Sequence, residues 1–412
     1  MSVIVAPARA PLTAQRRPAG PSLGPVPLAA IVVVEVGLAL AVALVAVDRR
    51  FLPLAGVVLS AGLLVGLLRV RRRWLVQWVG LALRFRLRVR QREAEPADAG
   101  DDADPRLRVL RLLTGDLTVA TTRDHDGREV GLLGHGGGWS AVLAVEAAGP
   151  DGTALVPGDA DAGAASFPLA ALAGCLADRG VVLDAVSAVW HCRPVAGDTP
   201  AAAAYREVLG SLPPLARREA WLVVRLDPAR CPDAVAERGG GVLGAHRAVI
   251  GALARIGRVL ADHGTPVRPL SAEDVLDAAT LAADADDEPA RLTEHWRAVV
   301  VGEVGHAAYA VTGWPTGAVP ERLTGLTVTT GRTCTLALTL EPDPHAGREG
   351  RPDDDAVGLR GTVRLTADTP DALEECGREL VARGHGLGVA LDALDGQQAA
   401  ALAATLPLGA LP

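Results

Sequence analysis

The chain has 412 residues, 49% hydrophobic and 22% charged, which gives enough material for two or three modules with their own cores and argues against a disordered or fibrous protein. Its net charge of −7 hides a division at Arg92: 14 arginines against Glu35 and Asp48 up to that point, then 27 arginines against 46 acids. There is no lysine, which excludes P-loop nucleotide hydrolysis, Schiff-base chemistry and pyridoxal cofactors, and the five cysteines contain no CxxC pair, so a reducing compartment fits better than a disulfide framework or zinc knuckle.

Residues 1–26 read as a flexible basic tail, followed by a transmembrane hairpin over 27–92. Leu28 to Val47 is a run of 20 residues interrupted only by Glu35, and Phe51 to Leu68 is an uncharged run of 18. At 1.5 Å rise per residue each can cross a hydrocarbon core of about 30 Å. The connector Asp48-Arg49-Arg50 is short enough to force an antiparallel turn. Arg9, Arg16 and Arg17 before the first run and nine arginines after the second outweigh the connector, so the positive-inside rule places both termini in the cytoplasm of a multi-pass cell-membrane protein. A cleaved signal peptide is the competing reading, opposed by the length of the first run and the span that follows it. A lipid-facing Glu35 would cost about 2.5–3.5 kcal/mol, so it is expected to face a protein partner. Gly62 and Gly66 form a GxxxG pair, and Gly56 with Ser60 a second small-residue pair, either of which permits close helix approach.

The exit Arg71-Arg72-Arg73-Trp74-Leu75-Val76-Gln77-Trp78 places its two indoles four residues apart beside arginines, a composition suited to the headgroup layer. Glu35, Gly62, Gly66, Arg71, Arg72, Arg73, Trp74 and Trp78 are therefore the candidate anchor and partner contacts, with membrane lipids among the partners. Nucleic acid is not expected, because the aromatics lie next to the membrane and the body is acidic. The alternation from Arg84 to Arg90 has period two and fits an edge strand better than an amphipathic helix, with a fraying helix as the alternative.

An acidic linker over 93–105 leads to a cytoplasmic body over 106–412. Leu107–Leu113 and Asp116–Thr122 read as strands, Asp126-Gly127 as a hairpin turn, and Gly136 to Gly138 as another between Val130–Gly134 and Trp139–Val145. Helix and strand patterns then alternate: a helix near Phe167–Ala177, strands over Val181–His191 and Ala220–Leu226, and a helical segment from Pro232 to His263 broken by Gly239 to Gly241. A capping box at Ser271 to Asp274 opens the next helix. Strands follow at Trp296–Val301, Ala307–Val311, Cys334–Leu340 and Leu359–Thr366, and helices at Pro370–Ala382 and Gln397–Ala404. The expected class is α/β: a two-helix hairpin followed by a mixed-sheet α/β domain.

Chemistry is sparsely signalled. Gly239-Gly240-Gly241 lacks the upstream strand and the spacing of a dinucleotide loop. The histidines show neither HxxxH nor HExxH. Asp284-Ala285-Asp286-Asp287 contains a DxD pattern of the kind that holds a divalent metal in some glycosyltransferases, a weak signal in an acidic chain. No catalytic, cofactor or metal residues are therefore assigned.

The order of features resembles the EccE family, a membrane component of type VII (ESX-type) secretion systems of actinobacteria. The resemblance rests on the hairpin with Asp48-Arg49-Arg50 at its tip, the Arg71-Arg72-Arg73-Trp74-Leu75 exit, Gly136-Gly137-Gly138-Trp139, and Trp221-Leu222-Val223-Val224-Arg225-Leu226-Asp227-Pro228. That last stretch continues through Cys231-Pro232-Asp233-Ala234-Val235 to Arg238-Gly239-Gly240-Gly241, and Trp314-Pro315 adds to it. The resemblance implies a non-enzymatic subunit assembling with EccB, EccD and the motor ATPase EccC. Two other classes stay open: a membrane-anchored, glycosyltransferase-like enzyme acting on a nucleotide-sugar or lipid-linked substrate through Asp284 or Asp286, and a cytoplasmic ligand sensor.

Overall fold

A computed structural model describes residues 12–14, 22–23, 26–70, 73–94, 104–146, 167–194, 216–285, 291–315, 323–328, 331–342 and 357–410. The chain forms two compact units, Arg16–Arg90 and Met1–Gln15 with Gln91–Pro412.

In the first unit, α1 (Leu28–Val47) and α2 (Leu52–Leu67) are apolar on every side, so neither has the polar stripe of a helix on a water-soluble core. Both are long and apolar enough, the second counted from Arg49, to cross a membrane. Asp48 ends α1 and accepts a hydrogen bond from the Arg50 amide at 2.9 Å, which starts the one-turn 3₁₀ segment Arg49–Phe51 into α2. The helices touch through glycine: a Cβ on Gly37 or Gly62 would lie 3.2 Å from the other's Cα. After α2, Arg69–Val70 pairs with Arg73–Trp74 as a small antiparallel ribbon, and α3 (Leu75–Leu87) follows. Arg84–Leu87, expected as part of an edge strand, is helical. Residues 84–87 complete the last turn of α3, where Leu and Arg are good helix formers and Arg88 and Arg90 fold back over the Phe85 ring at 5.4 and 5.7 Å.

The second unit is built on one sheet. In chain order its elements are β1 (Leu12–Ala14), β2 (Gln91–Glu93), α4 (Pro105–Thr114), β3 (Thr118–Arg123), β4 (Glu129–His135), β5 (Gly138–Val145), α5 (Leu169–Ala173), β6 (Ala185–Pro194), β7 (Ala216–Leu226), α6 (Pro232–Glu237), α7 (Gly241–Asp262), β8 (Val267–Pro269) and α8 (Ala272–Ala283). Then come β9 (Arg291–Glu294), β10 (Val299–Val301), β11 (Val304–Gly313), β12 (Thr333–Pro342), β13 (Val357–Ala367), α9 (Pro370–Gly386), β14 (Ala390–Ala393) and α10 (Gln398–Ala404). The strand order is β2-β9-β10-β11-β13-β12-β6-β7-β5-β4-β3, with β1 on β13, β8 on β5 and β14 on β11. Among the described residues, pairing is antiparallel except for β1 with β13, which is parallel. The expected strand at Leu107–Leu113 is helix α4: Asp104 accepts from the Arg106 amide, Pro105 opens the first turn, and Val109, Leu110, Leu112 and Leu113 are buried.

The sheet repeats itself. Each half has a three-strand meander (β3-β4-β5, then β9-β10-β11), two long antiparallel strands (β6-β7, then β12-β13) and a long helix (α7, then α9). Each ends with a short strand on the third meander strand (β8 on β5, β14 on β11) and a further helix (α8, then α10). The halves meet along β6 and β12, whose antiparallel ladder runs from Val186 opposite Leu340 to Cys192 opposite Cys334, centred on Val189 opposite Ala337. This is a pseudo-twofold arrangement, and the ladder is its seam. One face of the sheet is covered by α5, α6, α7 and α9 over a core that includes Leu222, Val224, Ile256, Leu336 and Leu380. The other is covered by α4, α8 and α10 over Val142, Val189, Trp221, Val223 and Ala337. Period-two alternation therefore buries both sets of side chains, and strands such as Trp221–Leu226 become continuously apolar apart from Arg225.

Candidate functional site

Among the sequence-predicted contacts, Arg71 and Arg72 lie outside the described residues, as does the side chain of Arg73. The flanking ribbon holds Arg69 over the Trp74 ring at 4.8 Å, and the Trp78 indole donates to the Val70 carbonyl at 3.1 Å. Gln77 accepts from the Trp74 amide at 3.2 Å, which caps α3, and the Leu75 amide donates to Leu68 at 2.8 Å. Trp74 and Trp78 thus clamp the turn from α2 into α3. Gly62 and Gly66 face α1 inside the hairpin: a Cβ on Gly66 would sit 2.6 Å from Val34 Cγ2 and 2.9 Å from the Ala30 carbonyl. Gly56, by contrast, has open space beyond it, and Glu35 is exposed on α1.

In the body, two of the stretches read from sequence, Gly136–Trp139 and Arg225–Asp227, converge at one end of the β5–β7 ladder. Gly136 and Gly137 take φ of 55° and 75°, the left-handed pair that a two-residue hairpin requires between β4 and β5. Gly138 lies against Arg225 from β7, whose NH2 donates to the His135 carbonyl at 3.1 Å and whose NH1 reaches His135 Nε2 at 2.9 Å. Arg225 Nε meets Asp184 at 3.2 Å, and Arg230 holds the other Asp184 oxygen at 2.7 Å. Trp139 meets the His246 ring edge-on at 4.2 Å. Trp221 is buried, and Trp139 and Trp314 pack on the core with part of each ring exposed.

A second polar group, which sequence reasoning missed, lies along the seam. Arg364 is fully buried on β13. Its Nε donates to Thr405 Oγ1 at 2.8 Å, its NH1 to His306 Nδ1 at 3.0 Å, and its NH2 to Thr335 Oγ1 at 3.0 Å and to the Ala282 carbonyl. The Ala282 carbonyl belongs to the last turn of α8, the negative pole of that helix, so the guanidinium caps a helix from inside the protein. Donation into His306 Nδ1 puts the ring proton on Nε2. His191 from β6 joins through Thr335 Oγ1 at 2.9 Å, and Ser187 meets Thr339 at 3.0 Å at the seam position related by the pseudo-twofold. Burial, then the charges of Arg364 and Arg193, push His191 down to about 3, and burial with Arg364 and Arg332 holds His306 well below the ordinary histidine range. Burial lowers Arg364 to about 10, which leaves it charged at neutral pH.

These groups hold one another. His191 and His306 are kept neutral, the Cys192, Cys334 and Cys175 thiols are pushed up chiefly by burial, and no set of three metal-ligating side chains is gathered among the described residues. Asp284, the described member of the DxD pattern, ends α8 in the left-handed conformation and ion-pairs with Arg332 at 2.8 Å; Asp286 and Asp287 lie outside the described residues.

Residues 215–311 match the family model described as "Putative type VII ESX secretion system translocon, EccE". That span runs from β7 through most of β11 and contains Trp221 to Gly241. The ESX-1 secretion system protein EccE1 of Mycobacterium tuberculosis, from strains CDC 1551 / Oshkosh and ATCC 25618 / H37Rv alike, is 28% identical over 187 residues, which are 44% of this chain and 36% of the relative. The chain therefore spans little more than a third of the length of these curated relatives. Over these residues, which include the Arg225 side of the Gly138–Arg225 junction, the chain is similar to the EccE family of type VII secretion components.

Proposed function

We propose that this chain is a non-enzymatic structural subunit of a type VII secretion membrane complex. The hairpin crosses the membrane with both chain ends in the cytoplasm, and the acidic body docks against the motor ATPase and the other membrane components to support protein export. The observation that carries this reading is the combination of two membrane-length helices with a family-matched body whose buried Arg225 and Arg364 side chains are engaged by neighbouring residues. Arginines after the second helix supply the topology signal. The Asp284–Arg332 pair supports a structural role for the acid that an enzyme reading would place on a metal.

The test is a mild-detergent pull-down of the tagged full-length protein from native membranes, with co-purifying chains identified by mass spectrometry. Recovery of a P-loop motor ATPase and polytopic membrane subunits is expected, and deletion of the hairpin should lose them. A protein recovered alone, under conditions that preserve other membrane complexes, overturns the reading.

A further inference from the structure

We propose that α3 is an in-plane lipid-binding helix whose outer face sits in the headgroup layer of an anionic membrane. The inference rests on the hairpin spanning a bilayer and adds a surface to it. One side of α3 is occupied by the chain itself: α3 touches both α1 and α2, Trp78 is tied to Val70, and Phe85 is buried. The other side is an apolar stripe. Val79, Leu83 and Leu87, spaced i, i+4 and i+8, are 49%, 56% and 77% exposed among the described residues, which puts an uncovered apolar stripe on one face.

Two observations identify lipid as the occupant. The first is charge. At 100° per residue, Arg86 and Arg84 border the stripe on its two sides, and Arg88 and Arg90 follow at its C-terminal end. No Asp or Glu occurs anywhere from Arg49 to Arg92, so the surface has a single sign and complements an anionic one. The second is continuity. The faces of α1 and α2 that α3 leaves uncovered expose Val36, Leu40, Leu64 and Leu67, so the stripe on α3 extends an apolar surface already directed at hydrocarbon. Arginine stems can lie along the acyl boundary while their guanidinium groups reach phosphate, the arrangement that an in-plane helix requires. The stacking of Arg88 and Arg90 on Phe85 holds the C-terminal charges over the helix end.

The test uses the full-length chain reconstituted in vesicles of phosphatidylcholine with or without phosphatidylglycerol. An environment-sensitive fluorophore is attached at Leu83→Cys and, in a separate sample, at Leu40→Cys on α1; the five native cysteines are buried in the folded chain. Lipids brominated at shallow acyl positions should quench the Leu83 probe about twofold or more in the presence of phosphatidylglycerol. Arg84→Gln, Arg86→Gln, Arg88→Gln and Arg90→Gln combined should remove the phosphatidylglycerol dependence. A quenched Leu40 probe beside an unquenched, iodide-accessible Leu83 probe means an inserted hairpin without an interfacial α3, and overturns the proposal. A Leu83 probe shielded from iodide yet untouched by brominated lipid means that protein covers the stripe, and also overturns it. Loss of quenching at both positions marks failure of the hairpin reading itself.

Discussion

Arg225 occupies the space that a side chain at position 138 would need. A Cβ there would lie 2.8 Å from Arg225 NH2 and 2.9 Å from its Cζ. The family-like stretches Gly136–Trp139 and Trp221–Asp227 are thus two sides of one junction, in which a glycine admits the guanidinium that ties β7 to the β4–β5 turn. Gly138→Ala should cost about 1–3 kcal/mol, because backbone and a hydrogen-bonded guanidinium must both move. Arg225→Lys should lose a similar amount, since an ammonium cannot serve His135 and Asp184 in the planar fork. Thermal unfolding of the detergent-solubilised protein checks both, and a Gly138→Ala protein as stable as the parent would show that the junction yields without cost.

The seam predicts a direction for pH. His191 titrates near 3 in the folded chain and near 6.5 when unfolded, and His306 is lowered in the same sense. With a depressed folded value, nothing is lost above about pH 6.5. Below it the unfolded chain takes up protons that the folded chain refuses, and stability falls as pH drops toward 3. For His191 alone the loss is about 2 kcal/mol by pH 5. Protonation would also put a second cation beside Arg364, and neither His191 Nε2 nor His306 Nε2 has a hydrogen-bond acceptor among the described residues. His191→Gln should flatten this part of the stability–pH curve while lowering the neutral plateau; an unchanged acid limb would refute the assignment.

Arg364 joins the two halves through hydrogen bonds. From β13 of the second half it reaches Ala282 on α8 of the first half and Thr405 beyond α10 of its own. Arg364→Ala removes a fully buried side chain and strands the acceptors of His306, Thr335 and Ala282, and a loss of about 3–5 kcal/mol is expected. Arg364→Met should recover the packing part of that loss and leave the polar part, so its unfolding midpoint should fall between those of parent and alanine variant. If the two variants behave alike, the hydrogen bonds alone account for the effect.

How far such features can be read from sequence depends on how local they are. The two apolar runs, the Asp126-Gly127 and Gly136-Gly137 turns, and the Ser271–Asp274 capping box are visible because each is complete within a few residues. The Leu107–Leu113 run and the Arg84–Arg90 alternation were ambiguous for the opposite reason. A short stretch carries a period of 2 or of 3.6 almost equally well, and tertiary packing decides between them. The seam is not legible at all. His191 and Thr335 are 144 residues apart, and Arg364 stands in a Thr-Val-Arg-Leu-Thr alternation that reads as a solvent face until α8 and α10 are laid over it. The strand–helix alternation is legible, but β8 and β14 return across a neighbouring strand to pair antiparallel, so the alternation builds an antiparallel sheet.

The hairpin glycines make a prediction that separates internal packing from partner contact. Gly66 has no room for a side chain against Val34 and Ala30, whereas Gly56 is open. Gly66→Leu should splay the two helices and lower thermal stability in detergent, by about 1–3 kcal/mol on the scale of overpacked cores. Gly56→Leu should leave the isolated protein unchanged. If Gly56 marks a surface used in the assembled complex, the same substitution should reduce co-purification of membrane partners. A Gly56→Leu protein that retains every partner would remove that face from consideration.

Glu35 is the remaining charge inside the first span, and its position sharpens what it can do. It lies two residues before Gly37, about 160° around the helix from the glycine that faces α2, so the hairpin cannot shelter it. A carboxyl group directed outward at that depth is costly against lipid and is satisfied by a donor on another chain. Glu35→Leu removes the insertion penalty of about 2.5–3.5 kcal/mol, so it should insert at least as well as the parent and be no less stable in detergent. If a partner helix supplies the donor, Glu35→Leu should nonetheless release that partner in the pull-down, while Glu35→Gln, which keeps a hydrogen-bonding group, should retain part of it. Retention of all partners by Glu35→Leu would mean that the carboxyl group makes no contact that assembly needs.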